Sequence, residues 1–170
     1  MAVEAILSTQ ITNAVAIPRV PNASTTDQGE PVHSVAKVTM DAAASATSTY
    51  RLFRVRSGDR VVSLRYAQTI GTGGVGRDND FGLYDIEGGA VVDVNCFADA
   101  ITFASAVLAW TELLPADAGS NCTVANCEQK IWQLLGLTAD PFKEYDVTIT
   151  CNEANTTLAI DIGVQITVVR

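Results

Sequence analysis

The fold is decided by two neighbouring segments near the end of the chain, Glu144–Cys151 (EYDVTITC) and Leu158–Val168 (LAIDIGVQITV). In both segments apolar and polar residues alternate, and a period of two sends them to opposite faces of a β-sheet. The intervening Asn152–Thr157 is rich in turn-forming residues. The sequence therefore predicts two half-buried strands joined as an antiparallel hairpin. The second strand exceeds the usual length of about 5–6 residues, so its long apolar face requires a facing layer.

Length, composition and charge narrow the class of protein. The 170 residues fit one domain, or one domain with an arm, and the chain is 48% hydrophobic and 18% charged, which is typical of a globular protein. The net charge of −8 argues against unassisted binding to nucleic acid or to an anionic membrane, so we expect neither partner. No apolar run approaches the roughly 20 residues of a membrane helix. Residues 1–17 lack the features of a signal peptide, so folding in a cytoplasm is the expectation.

The N-terminal residues differ in character from the rest of the chain. Residues 1–34 contain Pro18, Pro21 and Pro31 and show no clear hydrophobic period. Prolines remove backbone donors and favour extended geometry in the residue before them. We interpret residues 1–34 as an extended N-terminal arm, with a disordered leader as the alternative, and residues 35–170 as a single β-rich domain.

Further strands are predicted by alternation and by turn residues between them. The predicted strands are Val35–Met40, Tyr50–Val55, Arg60–Ala67, Phe81–Ile86 and Ala90–Val94. Arginines on one face of the second and third strands favour a solvated or partner-facing surface, and Val62, Leu64 and Tyr66 share one side of the third. Glu87-Gly88-Gly89 predicts a tight hairpin between the last two, because glycine supplies the positive φ of such turns.

Two segments have helical character. A stripe of apolar residues and several alanines predict a helix from Asn95 or Asp99 to Trp110, although Phe97–Trp110 also tolerates a strand. A shorter helix is predicted over Glu128–Leu135, ended by Gly136. The predicted fold class is mainly β: an antiparallel β-sandwich, with a jelly roll as one form of it, carrying one or two short helices and the N-terminal arm.

Two motifs suggest a cofactor or a metal, and neither has the required context. Gly71–Gly76 matches GxGxxG, but a dinucleotide site needs a helix to follow, and here a strand pattern follows. Asp78, Asp80 and Asp85 do not fit the spacing of a calcium loop. We interpret the first as an inter-strand loop and the second as a solvated acidic segment, and expect no cofactor and no metal.

The side chains that usually carry catalysis are equally sparse. Cys122 and Cys127 are spaced for half a zinc site or for a disulfide, but no second close pair exists and a reducing cytoplasm disfavours the disulfide. His33, the single histidine, has no nucleophile motif around it. The pairs Asp85/Glu87 and Glu144/Asp146 are predicted to be ordinary surface charge. The tryptophans, Trp110 and Trp132, are expected to fill a core. We expect no catalytic residues and no enzymatic activity.

Five blocks of sequence carry a resemblance to a known family. They are Tyr50–Val55, Val61–Leu64, Phe81–Asp93 (FGLYDIEGGAVVD), Lys130–Pro141 (KIWQLLGLTADP) and Lys143–Thr150 (KEYDVTIT). In this order they resemble the capsid cement (decoration) proteins of tailed bacteriophages, small structural proteins encoded beside the major capsid protein. The blocks are turn and packing signatures, none is catalytic, and residues 1–49 contain none.

The resemblance implies a β-rich virion protein that binds the outside of the major capsid shell and stabilises it by bridging capsomers. Its implied partners are the major capsid protein and further copies of itself, often as a trimer, with assembly in the bacterial cytoplasm. Two alternatives stay open. One is a head–tail connector, tail or fibre-associated protein, and the other is a carbohydrate-binding β-sandwich or small enzyme.

Overall fold

A computed structural model of the chain describes residues 31–40, 44–69, 78–103, 108–115, 119–153 and 159–170. In chain order the elements are β1 (Pro31–Met40), β2 (Thr49–Arg56), β3 (Arg60–Gln68), β4 (Asp78–Asp85), β5 (Val91–Thr102), β6 (Leu108–Glu112), a 3₁₀ turn (Val124–Asn126), α1 (Ile131–Leu134), β7 (Glu144–Cys151) and β8 (Ile160–Val169). The described chain is therefore mainly β, as predicted.

The strands form two four-stranded antiparallel sheets. Sheet I has the order β1-β8-β3-β6, and sheet II has the order β2-β7-β4-β5. The paired strands include β1 with β8, β2 with β7, β3 with β6 and β4 with β5. This is the pairing of one long antiparallel hairpin that has been rolled into two layers. The arrangement is an eight-stranded jelly roll, which confirms the predicted β-sandwich and its jelly-roll form.

The predicted hairpin between the last two strands is wrong. Both strands exist, but β7 lies in sheet II between β2 and β4, whereas β8 lies in sheet I between β1 and β3. Each is a central strand whose backbone groups pair on both sides, so neither has a free edge for the other. The chain between them crosses from one sheet to the other. The turn at Ser57–Asp59 also crosses between the sheets, since it joins β2 of sheet II to β3 of sheet I.

The core lies between the sheets, on the inner faces of the central strands. In β8 the buried residues alternate with half-exposed ones, as predicted for a half-buried strand. They are Ile160, Ile162, Val164, Ile166 and Val168. In β7 every residue from Tyr145 to Cys151 is buried, so the half-buried prediction is wrong for this strand. Rings from both sheets meet in the core: Tyr66 stacks on Phe103 at 5.4 Å between centroids, and Phe81 lies 6.1 Å from Tyr66.

The longer predicted helix is wrong, and the strand alternative is correct. Residues from Asn95 to Thr102 continue β5, which pairs with β4, and Trp110 lies in β6. Pairing with β4 and burial of Phe97 outweigh the helical preference of the alanines, because tertiary context overrides intrinsic propensity. The shorter helix is confirmed as the single turn α1, and Gly136 follows it with φ +69°.

The first strand begins earlier than predicted. β1 starts at Pro31, so residues 31–34, which were assigned to the arm, form part of sheet I. Residues 1–30 lie outside the described residues, and the extended arm stays a prediction for them. Residues 31–170 form one compact unit.

The close packing of β5 against Gly82 in β4 leads to a first prediction about stability. A Cβ on Gly82 would lie 2.2 Å from the carbonyl oxygens of Asp93 and Val94, so backbone would have to move. We expect Gly82→Ala to lower the free energy of unfolding by about 1–3 kcal/mol or more. In the matched control Gly163→Ala, the new Cβ meets only the Trp110 ring, at 3.3 Å, and the change stays within about 1 kcal/mol. Urea denaturation followed by tryptophan fluorescence checks this, and equal losses in the two variants would contradict it.

Candidate functional site

The side chains considered for catalysis lie apart from one another. His33 belongs to β1, and its Nδ1 lies 2.9 Å from the hydroxyl of Thr167 on the neighbouring strand. Asp78 and Asp85 stand at the two ends of β4, roughly 23 Å apart at the rise of an extended strand. Asp80 is buried and accepts hydrogen bonds from the backbone N–H of Ala100 and from Asn152, so the interpretation as a solvated acidic segment is wrong for this residue. Within the described residues, no three His, Cys, Asp or Glu side chains are grouped so that they could hold a metal ion.

The GxGxxG segment, Gly71–Gly76, falls outside the described residues. The element that follows it in the chain is strand β4. A pyrophosphate site of the dinucleotide-binding kind requires a helix at this place.

The four cysteines are unpaired, and three of them are shielded from solvent. Cys96, Cys122 and Cys151 are buried, whereas Cys127 is exposed. Burial raises the pKa of Cys122 and of Cys151 to about 11, and burial together with the nearby Asp93 carboxylate raises the pKa of Cys96 well above its ordinary value. These three thiols stay protonated and weakly nucleophilic at neutral pH.

Asp146 is not the surface carboxylate that was predicted. It is 8% exposed, and its two carboxylate oxygens accept hydrogen bonds from Arg51 and Arg54, each at 3.1 Å. A register shift in β2 between Arg51 and Phe53 places both arginines on the same face, which strict alternation would not allow. The three side chains form a partly buried charge cluster across β2 and β7.

Arg51 also fastens the β4–β5 turn to β2. Its guanidinium donates to the carbonyl oxygens of Asp85, at 2.6 Å, and Gly89, at 2.8 Å, and it lies over the Tyr84 ring at 5.3 Å. Five donors in a fixed planar fork allow arginine to join several acceptors at once. The Arg51 side chain therefore supports the fold and is not the partner-facing group predicted for this face.

An apolar groove lies on the outer face of sheet I. It encloses about 390 Å³ between Val35, Ala67, Trp110 and Gly163, and we call it the Trp110 groove. Trp110 is 49% exposed and Val35 is 68% exposed, so the prediction that Trp110 fills the core is wrong. The indole lies over β8 at Gly163, where a Cβ would come within 3.3 Å of the ring, so the glycine allows the ring to approach the backbone closely.

Ion pairs flank the Trp110 groove. Lys37 Nζ lies 2.7 Å from Asp161 Oδ2, and the Thr39 hydroxyl donates to the same carboxylate. The Lys37 and Thr39 hydrogen bonds lower the pKa of Asp161. Along β6, Glu112 lies 2.7 Å from Arg65 Nε. Burial opposes ionisation of Glu112, but hydrogen bonds from Arg65, from Ser63 and from two backbone amides outweigh it and lower its pKa. Both carboxylates are therefore held in their charged form beside the groove.

A second apolar feature is the loop that enters β7, Asp140–Lys143, which we call the Phe142 loop. Phe142 is 91% exposed, and its backbone has φ +53°, in the left-handed region. The Asp140 carboxylate accepts hydrogen bonds from the backbone N–H of Phe142 and from the hydroxyl of Ser57. These two hydrogen bonds lower the pKa of Asp140.

Contacts to the β2–β3 turn hold the Phe142 loop in place. The backbone N–H of Ser57 donates to the Lys143 carbonyl at 2.8 Å, and the Lys143 N–H donates to the Ser57 hydroxyl at 3.1 Å. Ser57 itself is buried. A cleft of about 450 Å³ beside the loop is lined by Arg56, Glu144 and Arg170, among others.

Neither apolar feature was identified from the sequence as a binding surface. Trp110 was expected in a helix and in the core. A glycine at position 163, inside an otherwise aliphatic strand, is the available signal, because it marks a place where another group approaches the backbone closely. For Phe142, the neighbouring residues of the sequence gave no sign of its exposure.

Comparison with known proteins finds the same fold in phage capsids. No protein-family model matches the sequence, and no curated protein matches it significantly. A chain of the capsid of Ralstonia phage GP4 is 16% identical over 85% of this chain and 87% of its own, with a TM-score of 0.57. A chain of the cyanophage Pam1 capsid asymmetric unit is 13% identical over 83% and 85%, with a TM-score of 0.50. At sequence identities this low, the structural similarity establishes a shared fold and nothing more specific.

A third similarity is weaker. A chain of the acidic stable capsid structure of Helicobacter pylori bacteriophage KHP30 is 14% identical over 84% of this chain and 94% of its own. Its TM-score of 0.40 is too low to support an inference.

Among the described residues, no helix is long and apolar enough to cross a membrane.

The charge cluster around Asp146 leads to a prediction about stability, and an exposed ion pair serves as its control. Asp146→Ala leaves Arg51 and Arg54 without their shared carboxylate, so we expect a loss of about 2–4 kcal/mol in the free energy of unfolding. Asp161→Ala removes the partner of Lys37 on an exposed face, where such pairs contribute little, and we expect a much smaller change. Urea denaturation of the two variants measures both, and comparable losses would refute the assignment.

Cysteine accessibility gives a second prediction. In the folded protein we expect one thiol per chain, Cys127, to react rapidly with Ellman's reagent at neutral pH, and all four to react in guanidinium chloride. Cys127→Ser serves as the control and should abolish the rapid phase. Two or more fast thiols in the native wild type, or a fast phase that persists in the control, would contradict the burial of the other three.

Proposed function

We propose that the chain is a virion structural protein of a tailed bacteriophage and, more specifically, a capsid cement protein. The observation that carries the proposal is the jelly roll, which aligns with chains from two phage capsid structures over more than four fifths of both partners. The sequence blocks that resemble cement proteins support the same function. Four of the five fall in β2, in β3, across the β4–β5 turn and over most of β7.

In the proposed function the protein binds the outside of the shell and bridges capsomers without turnover. A net charge of −8 supports an exterior position, because the packaged DNA would repel it. Exposed apolar side chains at Trp110 and Phe142 lie on strands and on a hydrogen-bonded loop, which suits contacts between proteins. The proposed role is structural and not enzymatic.

Self-association belongs to the proposal, with a trimer favoured. A three-fold oligomer presents three equivalent shell-binding surfaces, and simultaneous engagement raises the effective affinity without any new contact. In the described chain, the edges of the two sheets are β1 and β6 in sheet I and β2 and β5 in sheet II. Such edges can accept an extended segment from a neighbour, and we propose that residues 1–30 act as this arm.

Co-sedimentation with shells tests the function. Shells assembled from the major capsid protein of the same genome are mixed with the purified protein, and we expect saturable binding, a higher temperature of shell disruption and added density on the outer surface by electron microscopy. No binding, or density confined to a six- or twelve-fold ring at one vertex, would overturn the cement assignment. The second result would favour the connector alternative.

The arm has its own test. A chain that begins at Pro31 keeps β1 whole, so we expect cooperative unfolding close to that of the full chain and at least about tenfold weaker binding to shells, which corresponds to about 1.4 kcal/mol. Unchanged binding would remove the proposed role of residues 1–30 and leave the cement function standing. A chain that begins at residue 35 is the informative control, because it deletes the first four residues of β1 and should lose stability.

A further inference from the structure

The contacts around Phe142 hold its backbone in a conformation that phenylalanine rarely adopts. A bulky residue at φ +53° is strained, and such conformations persist where the surrounding contacts impose them, commonly at functional sites. Glycine or asparagine would adopt this backbone more readily. The ring is 91% exposed, so it gains nothing from burial within its own chain. A phenylalanine at this position suits contact with something outside the chain.

Hydrogen bonds hold the backbone of the Phe142 loop in place. Ser57 is hydrogen-bonded to both Asp140 and Lys143, and the carbonyl of Ser57 accepts from the backbone of Trp132 at 3.0 Å. The loop is thereby fixed to the β2–β3 turn and to α1. A pre-ordered anchor loses little conformational entropy when it binds.

The same chain carries a receptor of matching chemistry. The Trp110 groove is mainly apolar, is built on the strands of sheet I and has the indole as one wall. A phenylalanine ring that enters it would contact the indole in an offset or edge-to-face geometry, which is favourable beyond simple burial. The groove is open in the chain itself, as the exposure of Val35 and Trp110 shows.

The ring and the groove of one chain cannot meet. Arg170 lines the cleft beside Phe142, whereas Gly163 lies under Trp110. These two residues are seven positions apart along the extended β8 segment, which corresponds to roughly 23 Å. Phe142 can therefore reach this groove only in another copy of the chain.

Charges on both surfaces are already compensated within each chain. Lys37 pairs with Asp161 beside the groove. Beside the ring, Lys143 lies 3.5 Å from Asp85, and Arg56 lies 4.0 Å from Glu144. Contact between the two surfaces would place an apolar centre inside a rim of paired charges, which is the usual anatomy of a protein interface.

We propose that Phe142 of one copy inserts into the Trp110 groove of the next copy. Because ring and groove lie on different parts of the chain, the contact is head-to-tail. A head-to-tail contact closes into a ring only when the rotation between copies allows it, and the proposed trimer is the ring of three. The inference deepens the self-association part of the proposed function and requires no property of the shell.

Two full-length variants test the contact from its two sides. Phe142→Gly removes the ring and relieves the positive φ, so it should weaken self-association by at least about 30-fold while leaving the isolated chain at least as stable. Trp110→Ala should weaken association by a similar factor, and Val35→Asp provides a second groove variant should Trp110→Ala fold poorly. Val124→Ser, at an apolar side chain that is 73% exposed in the 3₁₀ turn, is the control and should leave the mass unchanged.

Mixing the variants gives the decisive measurement. By light scattering we expect the wild type to be an oligomer and Phe142→Gly and Trp110→Ala each to be monomers. An equimolar mixture should form a dimer, because the Trp110→Ala chain still offers a ring and the Phe142→Gly chain still offers a groove. A mixture that stays monomeric, or a wild-type oligomer unaffected by both substitutions, would overturn the proposed contact.

Shell binding separates this inference from the proposed function. A monomeric wild type that still co-sediments with shells would refute the contact and leave the cement function intact. An oligomer that forms the mixed dimer but ignores shells would support the contact and refute the cement function.

Discussion

The structure depends on the pairing of β8 with β1 on one side and β3 on the other. The pairing of β1 with β8 joins residues 120 to 138 positions apart, from Met40 with Ile160 to Pro31 with Val169. Once these strands pair, the inner face of β8 is a row of aliphatic side chains that water would surround unless a second sheet covers it. Sheet II supplies that layer, and the chain therefore passes repeatedly from one sheet to the other. Such non-local pairing has a high contact order and predicts slow folding.

Local pattern predicted most of the strands but not their partners. Alternation in Glu144–Cys151 and Leu158–Val168 correctly indicated strands, yet it says only which face each side chain takes and nothing about which strand lies beside it. The β4–β5 hairpin was predictable because the glycines at 88 and 89 define a tight turn. Helical preference failed between Asn95 and Trp110, because pairing with β4 is a long-range contact that composition does not record.

Bulges explain the errors in side-chain direction, and they bear directly on the candidate surfaces. A register shift in β3 between Val61 and Ser63 leaves Val62 exposed while Leu64 is buried, although alternation placed the two on the same side of the strand. The shift in β2 brings Arg54 to the same side as Arg51, so a face that appeared available to a partner is occupied by Asp146. Strict alternation cannot reveal either shift, since one inserted residue changes the phase without changing the composition.

What distinguishes the two candidate surfaces from ordinary exposed apolar residues is the structure that holds them open. Gly163 makes room for the Trp110 indole above the centre of sheet I, and the hydrogen bonds of Ser57 hold Phe142 in a strained conformation away from its own core. A fold under selection for stability alone would gain by covering both side chains, whereas strands and a hydrogen-bonded turn keep them exposed. Apolar side chains held exposed among compensated charges are the arrangement typical of surfaces that contact another protein.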